Sequence, residues 1–313
     1  MTSFMKSLNP NAQGALLIVL GGLIFTLNDT LMKAVLVADV PLFQAILLRG
    51  LLTTALLSVA VVLTGAFRYA VAAFSWPMVI RIVTDVATTV CFLAALPHIP
   101  LAEASAIGNI LPLAVTLAAA WVLKEQVGWR RYTAIAIGFV GVLLIVKPGT
   151  PQFSPFALLA LASVGFVTIR EIITRKIKAN VPSLLVALLT SVATMATGGV
   201  GSLGKSWAAV SNEVWLLLFG TAVVLSFGYL VATMAMRVGE ISFSAPYRYT
   251  SLVWAIIAGL VVFGEVPDLL SIFGILIIVA SGIYMFHRER VRRGHNEQLN
   301  ELPVSVAIAQ PKA

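Results

Sequence analysis

Two stretches decide the fold: LAEASAIGNILPLAVTLAAAWVLKE at residues 101–125 and ISFSAPYRYTSLVWAIIAGLVVFGE at 241–265. Each is one long apolar run with small and hydroxyl residues near its start, and each stops at a glutamate, Glu125 and Glu265. A hydrocarbon core of about 30 Å takes about 20 helical residues to cross, so each reads as a transmembrane helix. The likeness extends outward from this pair. Residues 14–50 overlay on 155–191, with Val40-Pro41 on Val181-Pro182, Phe25 on Phe166, and Asn28-Asp29 near Arg170-Glu171. The chain is therefore read as an internal repeat.

Composition makes lipid the solvent. Of 313 residues, 59% are apolar and 11% are charged, against about 25% charged in a soluble domain. A globule of this make-up would expose large apolar patches in water. The net charge of +8 could suit nucleic acid, but the basic residues sit in short clusters between apolar runs, so no nucleic-acid partner is expected. Cys91 is the single cysteine and lies in an apolar run, which rules out an intrachain disulfide.

Ten runs long enough to cross a bilayer occur, at 12–33, 42–64, 77–96, 101–122, 129–146, 156–176, 182–199, 213–237, 242–263 and 268–286. The expected class is all-α integral membrane protein. Short connections, such as Pro97 to Pro100 and Glu265 to Pro267, predict that consecutive spans are antiparallel neighbours. With the N-terminus inside, the inner segments hold Lys6, Arg68, Lys124, Arg130, Arg131, Arg175, Lys176, Lys178, Arg237, Arg288, Arg290, Arg292, Arg293 and Lys312. The outer loops hold Lys33, Lys147 and Lys205. This bias predicts both termini in the cytoplasm. The expected organisation is a cytoplasmic start (1–11), a first five-helix repeat (12–146), an external linker (147–155), a second repeat (156–286) and a disordered cytoplasmic tail (287–313). Five spans is an odd number, so the second repeat must enter the membrane inverted, the plan of many secondary transporters.

On LPHIPLAEASAIGNILPLAVTLAAAWVLKE (96–125) and its partner at 241–265, the chain resembles the drug/metabolite transporter superfamily in its ten-span EamA-type branch, over residues 12 to 286. Within it, NDTLMK (28–33), the LLRGLL around Arg49 and APYRYTSLVWAI (245–256) resemble the branch of S-adenosylmethionine uptake carriers and bacterial riboflavin transporters. The resemblance implies a secondary carrier of the bacterial cytoplasmic membrane with a central cavity between two repeats, acting as monomer or homodimer. Related exporters share the scaffold.

Ionisable groups inside spans cost at least about 2.5–3.5 kcal/mol each at the helix centre, so each needs a reason. The candidates for ion pairing or proton coupling are Asp29, Arg49, Arg81, Asp85, Arg170 and Glu171, with Glu103 nearer the outer edge. Arg81, Asp85, Thr88 and Phe92 share one face of the third span, where Arg81 and Asp85 can pair at i, i+4 and Thr88 and Phe92 extend the stripe toward a substrate. The fourth span offers Ser105, Asn109, Pro112 and Thr116, and Pro112 removes a backbone hydrogen bond and kinks or hinges the helix. In the ninth, Ser244, Tyr247, Arg248 and Ser251 read as one side, with Tyr249 and Trp254 nearby; Arg248 can grip a carboxylate or stack on a ring that the tyrosines sandwich. Ser226, Tyr229 and Thr233 share a face of the eighth. Asp29 is placed to take up a coupling proton, or to pair with Arg49 or Lys33.

GVGSLGKS at 199–206 fits the phosphate-loop pattern, but it follows a membrane span rather than a strand, so ATP-driven chemistry is not expected. His98, His287 and His295 show no metal or triad spacing, and neither cofactor nor enzyme activity is expected. A channel is the other rival, disfavoured by the repeat. The sequence points to alternating-access transport of a small organic metabolite, leaning to inward movement of riboflavin or S-adenosylmethionine. Export of amino acids or drugs is the alternative.

Overall fold

The computed structural model describes residues 9–70, 75–125, 127–174, 181–235, 238 and 241–301. Ten helices in it are long and apolar enough to cross a membrane: Pro10–Val37, Leu42–Leu63, Trp76–His98, Leu101–Val122, Trp129–Val146, Pro155–Thr174, Ser183–Gly201, Asn212–Ala232, Ala245–Phe263 and Leu269–Arg288. They are numbered here as spans one to ten. The all-helical ten-span class expected from the sequence is what the chain adopts. Among the expected inner-side basic residues, Lys6, Arg175, Lys176, Lys178, Arg237 and Lys312 lie outside the described residues.

Local chemistry sets the helix ends. Asn9 caps span one by accepting a 2.7 Å bond from the Ala12 amide, with Pro10 in the first turn, where a missing N–H costs nothing. Gly264, at φ 67°, closes span nine in the left-handed conformation. Span four is two helices, Leu101–Gly108 and Leu111–Val122, broken at Asn109-Ile110 just before Pro112. Span nine opens with a 3₁₀ turn at Ala245–Tyr249 before its α-helix at Thr250–Phe263. The helix of span ten runs on to Glu301, through residues expected to be a disordered tail. That segment, rich in Arg, Glu and Gln, has good helix-formers and a preformed helix to propagate from.

The packing corrects one expectation. Consecutive spans are not the principal neighbours. The most extensive contacts pair span one with eight, two with seven, three with six and five with ten, so each lies across the two halves of the chain. The reason is in the glycines. A Cβ at Gly198 would sit 2.5 Å from the Leu47 amide nitrogen, and one at Gly50 would sit 2.8 Å from the Met195 Cα, so spans two and seven meet backbone to backbone. Spans five and ten meet similarly, where a Cβ at Gly274 would lie 2.6 Å from the Gly141 carbonyl oxygen. In lipid, where apolar burial gives helices little reason to associate, such close approach supplies the dispersion contacts that hold them.

Gly198→Ala should force the seam between spans two and seven apart and cost about 1–3 kcal/mol by overpacking, read as a lower unfolding temperature in detergent. Gly165→Ala, where a Cβ meets nothing within 4 Å, should leave that temperature unchanged.

Candidate substrate site

A polar cavity of about 40 Å³ lies between spans two, three, seven and eight, lined by Arg49, Gly50, Thr53, Asp85, Thr89, Thr190, Ser191, Thr194, Leu225 and Tyr229. On span three, Asp85 is the electrostatic centre. Arg170 of span six donates to it at 2.6 Å and also to Glu171 at 2.8 Å. Arg81 makes the expected i, i+4 pair, but at 3.5 Å, and turns its other contact toward the Thr190 hydroxyl at 3.4 Å. The chain Arg81, Asp85, Arg170, Glu171 thus joins spans three, six and seven, and pairing is what makes such charges tolerable away from water.

The cavity hydroxyls are mostly held by their own helices. Thr194 donates to the Thr190 carbonyl at 2.9 Å and Thr89 to the Asp85 carbonyl at 3.0 Å. Thr88, expected at the substrate, is not among the lining residues and donates to the Thr84 carbonyl at 2.8 Å. Thr54 and Ser191 bond each other across spans two and seven at 2.9 Å. Thr53 differs: its Oγ1 is buried and has no hydrogen-bond partner among the described residues.

A second polar layer seals one end of the bundle. Lys33 of span one pairs with Glu265 and donates to the Ile99 carbonyl at 2.6 Å. The other Glu265 oxygen accepts the Leu101 amide at 2.8 Å. Pro100 occupies the cap position of span four and has no side chain to cap it, so a carboxylate from the far half caps it and meets the positive helix end. Lys147 ends span five at φ 53° and donates to Asp268 at 2.5 Å, with Glu103 3.5 Å away. Asp268 caps span ten through the Ser271 amide at 2.8 Å, while the Ser271 hydroxyl donates to Glu103 at 2.6 Å. His98 stacks on Phe156 with centroids 3.6 Å apart. Gln44 exchanges two hydrogen bonds with the Ala208 backbone, at 2.8 and 2.9 Å.

Other expected residues fall elsewhere. Asn109 and Ser251 meet directly, Nδ2 to Oγ at 3.0 Å, joining the break in span four to span nine. Asp29 accepts from Asn28 at 3.0 Å, and Lys33, offered as its partner, belongs to Glu265 instead. Arg49 feels Asp29 and Tyr229 electrostatically without an ion pair to either. Tyr249 is buried with its hydroxyl over Gly282 of span ten, whereas Tyr247 and Arg248 are exposed, so these three do not form one cluster. Phe92 is half-buried against the main core, and Cys91 is a free, half-buried thiol. Ser226 bonds its own helix at 2.8 Å, and the Thr233 side chain lies outside the described residues. In the stretch that mimics a phosphate loop, Gly199 and Gly201 are inside the helix of span seven. Sequence reasoning passed over Thr53, Thr190, Ser191, Thr194, Gln44, Asp268 and Ser271. The i, i+4 hydroxyls at Thr190 and Thr194 were the available signal.

Residues 12–147 match the EamA-like transporter family. The S-adenosylmethionine uptake transporter of Rickettsia prowazekii is 29% identical over 192 residues, 61% of this chain and 65% of that protein, so the match spans just under two thirds of the relative's length. The pseudopaline exporter CntI of Pseudomonas aeruginosa is 28% identical over 275 residues, 85% of this chain and 94% of its own. The riboflavin transporter of Vibrio cholerae is 27% identical over 228 residues, covering 71% and 76%. A protein of known crystal structure shares the fold, with TM-score 0.60 at 20% identity over 88% of this chain and 98% of its own. Ten helices long and apolar enough to cross a membrane, together with these similarities to membrane carriers, mark the chain as a multi-pass membrane protein.

Removing Asp85 should be destabilising, by up to about 3–5 kcal/mol, because it leaves Arg81 without a carboxylate and takes from Arg170 the closer of its two. Arg170→Gln should cost less in an Asp85→Asn background than alone, a coupling read by a double-mutant cycle on unfolding in detergent. At the sealed end, the hydrogen bond from the Lys147 ammonium holds the Asp268 carboxyl below the usual carboxylate range. Its folded-state pKa is depressed, so its stabilisation is complete above about pH 4 and is lost as pH falls below that. Asp268→Asn should remove that acid-sensitive component from a stability–pH profile.

Proposed function

We propose that the chain is a secondary carrier that moves a small organic metabolite across the bacterial cytoplasmic membrane by alternating access. The observation that carries this reading is the polar cavity, whose walls come from spans two and three of one half and seven and eight of the other. Such a site changes shape whenever the halves rock against one another. In this reading the halves are inverted repeats. Exchanging each span with the one five places along turns the pair one and eight into six and three, and leaves two and seven, and five and ten, unchanged; this supports the symmetry. The end sealed by Lys33, Glu265, Lys147 and Asp268 then faces outside, as the loop charges argue, with both termini in the cytoplasm.

For cargo we favour a ring-bearing vitamin or nucleoside-like compound taken inward, which the names of the Rickettsia and Vibrio relatives support. Export is the second reading, favoured by the match that covers 94% of a Pseudomonas exporter. Asp29, one residue from the orphaned Asn28 Oδ1, is our candidate for proton coupling.

Proteoliposomes holding the purified chain should take up labelled S-adenosylmethionine or riboflavin saturably and show counterflow. Competition by amino acids alone would sink the ring-bearing assignment, and unsaturable flux would point to a channel. Asp29→Asn should retain counterflow while losing most acceleration by an imposed proton gradient. Undiminished acceleration would remove Asp29 from the coupling step.

A further inference from the structure

Four cations of the spans and their ends have acceptors close by: Lys33, Arg81, Lys147 and Arg170. Arg49 does not. Its residue is 7% exposed, and among the described residues no hydrogen bond or ion pair is made by its guanidinium, Tyr229 and Asp29 being electrostatic neighbours only. Five N–H donors on a permanent charge are a costly thing to leave idle inside a bundle. One turn further along the same helix, Thr53 is 2% exposed and its hydroxyl has no partner among the described residues. Residues at i and i+4 share a helix face, and both line the cavity. Asp85 across the cavity is already matched by Arg170 and Arg81. The unsatisfied groups that meet in this cavity are thus a guanidinium and a hydroxyl, each able to donate.

Resting on the carrier reading, we infer that Arg49 and Thr53 hold a carboxylate of the cargo, so that the transported metabolites are carboxylates, amino-acid-like heads included. A planar carboxylate matches the two-pronged guanidinium and leaves a lone pair for the Thr53 hydroxyl. One negative charge balances Arg49. A phosphate dianion would need a second cation, and Arg81 and Arg170 are committed to Asp85. Gly50, pressed on the Met195 backbone, fixes the turn of span two that carries Arg49 against span seven, so the base of the side chain is set before cargo arrives.

The test is thermal stabilisation of the full chain in detergent, which reads binding apart from transport. The probes are S-adenosylmethionine, methionine and tryptophan, each set against its partner lacking the charge: decarboxylated S-adenosylmethionine and the two amino-acid amides. At least one carboxylate should raise the unfolding temperature at a concentration tenfold or more below that of its partner. Arg49→Gln should erase that preference, Arg49→Lys should keep part of it, and Thr53→Val should weaken carboxylate binding several-fold. Thr53→Val conserves shape, so it keeps the test decisive if Arg49→Gln fails to fold. Carboxylates and their carboxylate-free partners binding equally, riboflavin binding while no carboxylate does, or full preference surviving in both Arg49→Lys and Thr53→Val would each overturn the assignment. Carboxylate binding without uptake into proteoliposomes would instead remove the carrier reading and leave the site standing.

Discussion

A charge away from water has to be met by another, and in this bundle the meeting is made across the two halves of the chain. Lys33 reaches Glu265, Lys147 reaches Asp268 and Arg170 reaches Asp85. The glycine seams bring the backbones close enough for these pairs to form, and the pairs fix which helices lie opposite. Neither half has a complete set of partners by itself. Association of the halves is therefore specified by electrostatics and held by close packing, which suits a solvent that offers little hydrophobic reward for helix contact.

The same division appears at the helix breaks. Span four is interrupted where Asn109 bonds Ser251, and span nine begins in a 3₁₀ turn on the neighbouring strip. Backbone groups freed by such breaks are tolerated at membrane depth only inside protein. Thr26 of span one adds a contact to the Ser251 carbonyl at 3.5 Å, so three spans converge there. The cavity beside Arg49 lies between four different spans, two, three, seven and eight. Polar chemistry thus forms a seal at one end, a helix-break contact and a pocket, each bridging the halves.

The spans were legible because lipid demands long apolar runs and tolerates few exceptions. Their partners were not. Short loops say that two helices are joined, whereas Gly198 and Gly274 decide which surfaces can approach, and a glycine shows its partner only in three dimensions. Arg81 and Asp85 were legible from spacing; the closer pair from Arg170 was not, because it joins residues 85 positions apart. Reading the ninth span with a 3.6-residue period put Tyr247, Arg248 and Ser251 on one side, but the 3₁₀ turn at Ala245–Tyr249 has about three residues per turn and turns Tyr247 and Arg248 outward. Thr190 and Thr194 carry no charge to advertise them, and threonines in apolar runs usually bond their own backbone, as Thr194 does.

The Lys33–Glu265 contact also carries a consequence for how the protein is made. These two residues are separated by 232 positions, so the ribosome delivers the ammonium long before its carboxylate. Until spans nine and ten enter the bilayer, Lys33 must stay near the water interface or borrow lipid headgroups, and the amide of Leu101 waits uncapped. Insertion of the first five helices is then separable in time from their final arrangement. The loop between spans nine and ten thus completes contacts that spans one and four have awaited since they were made.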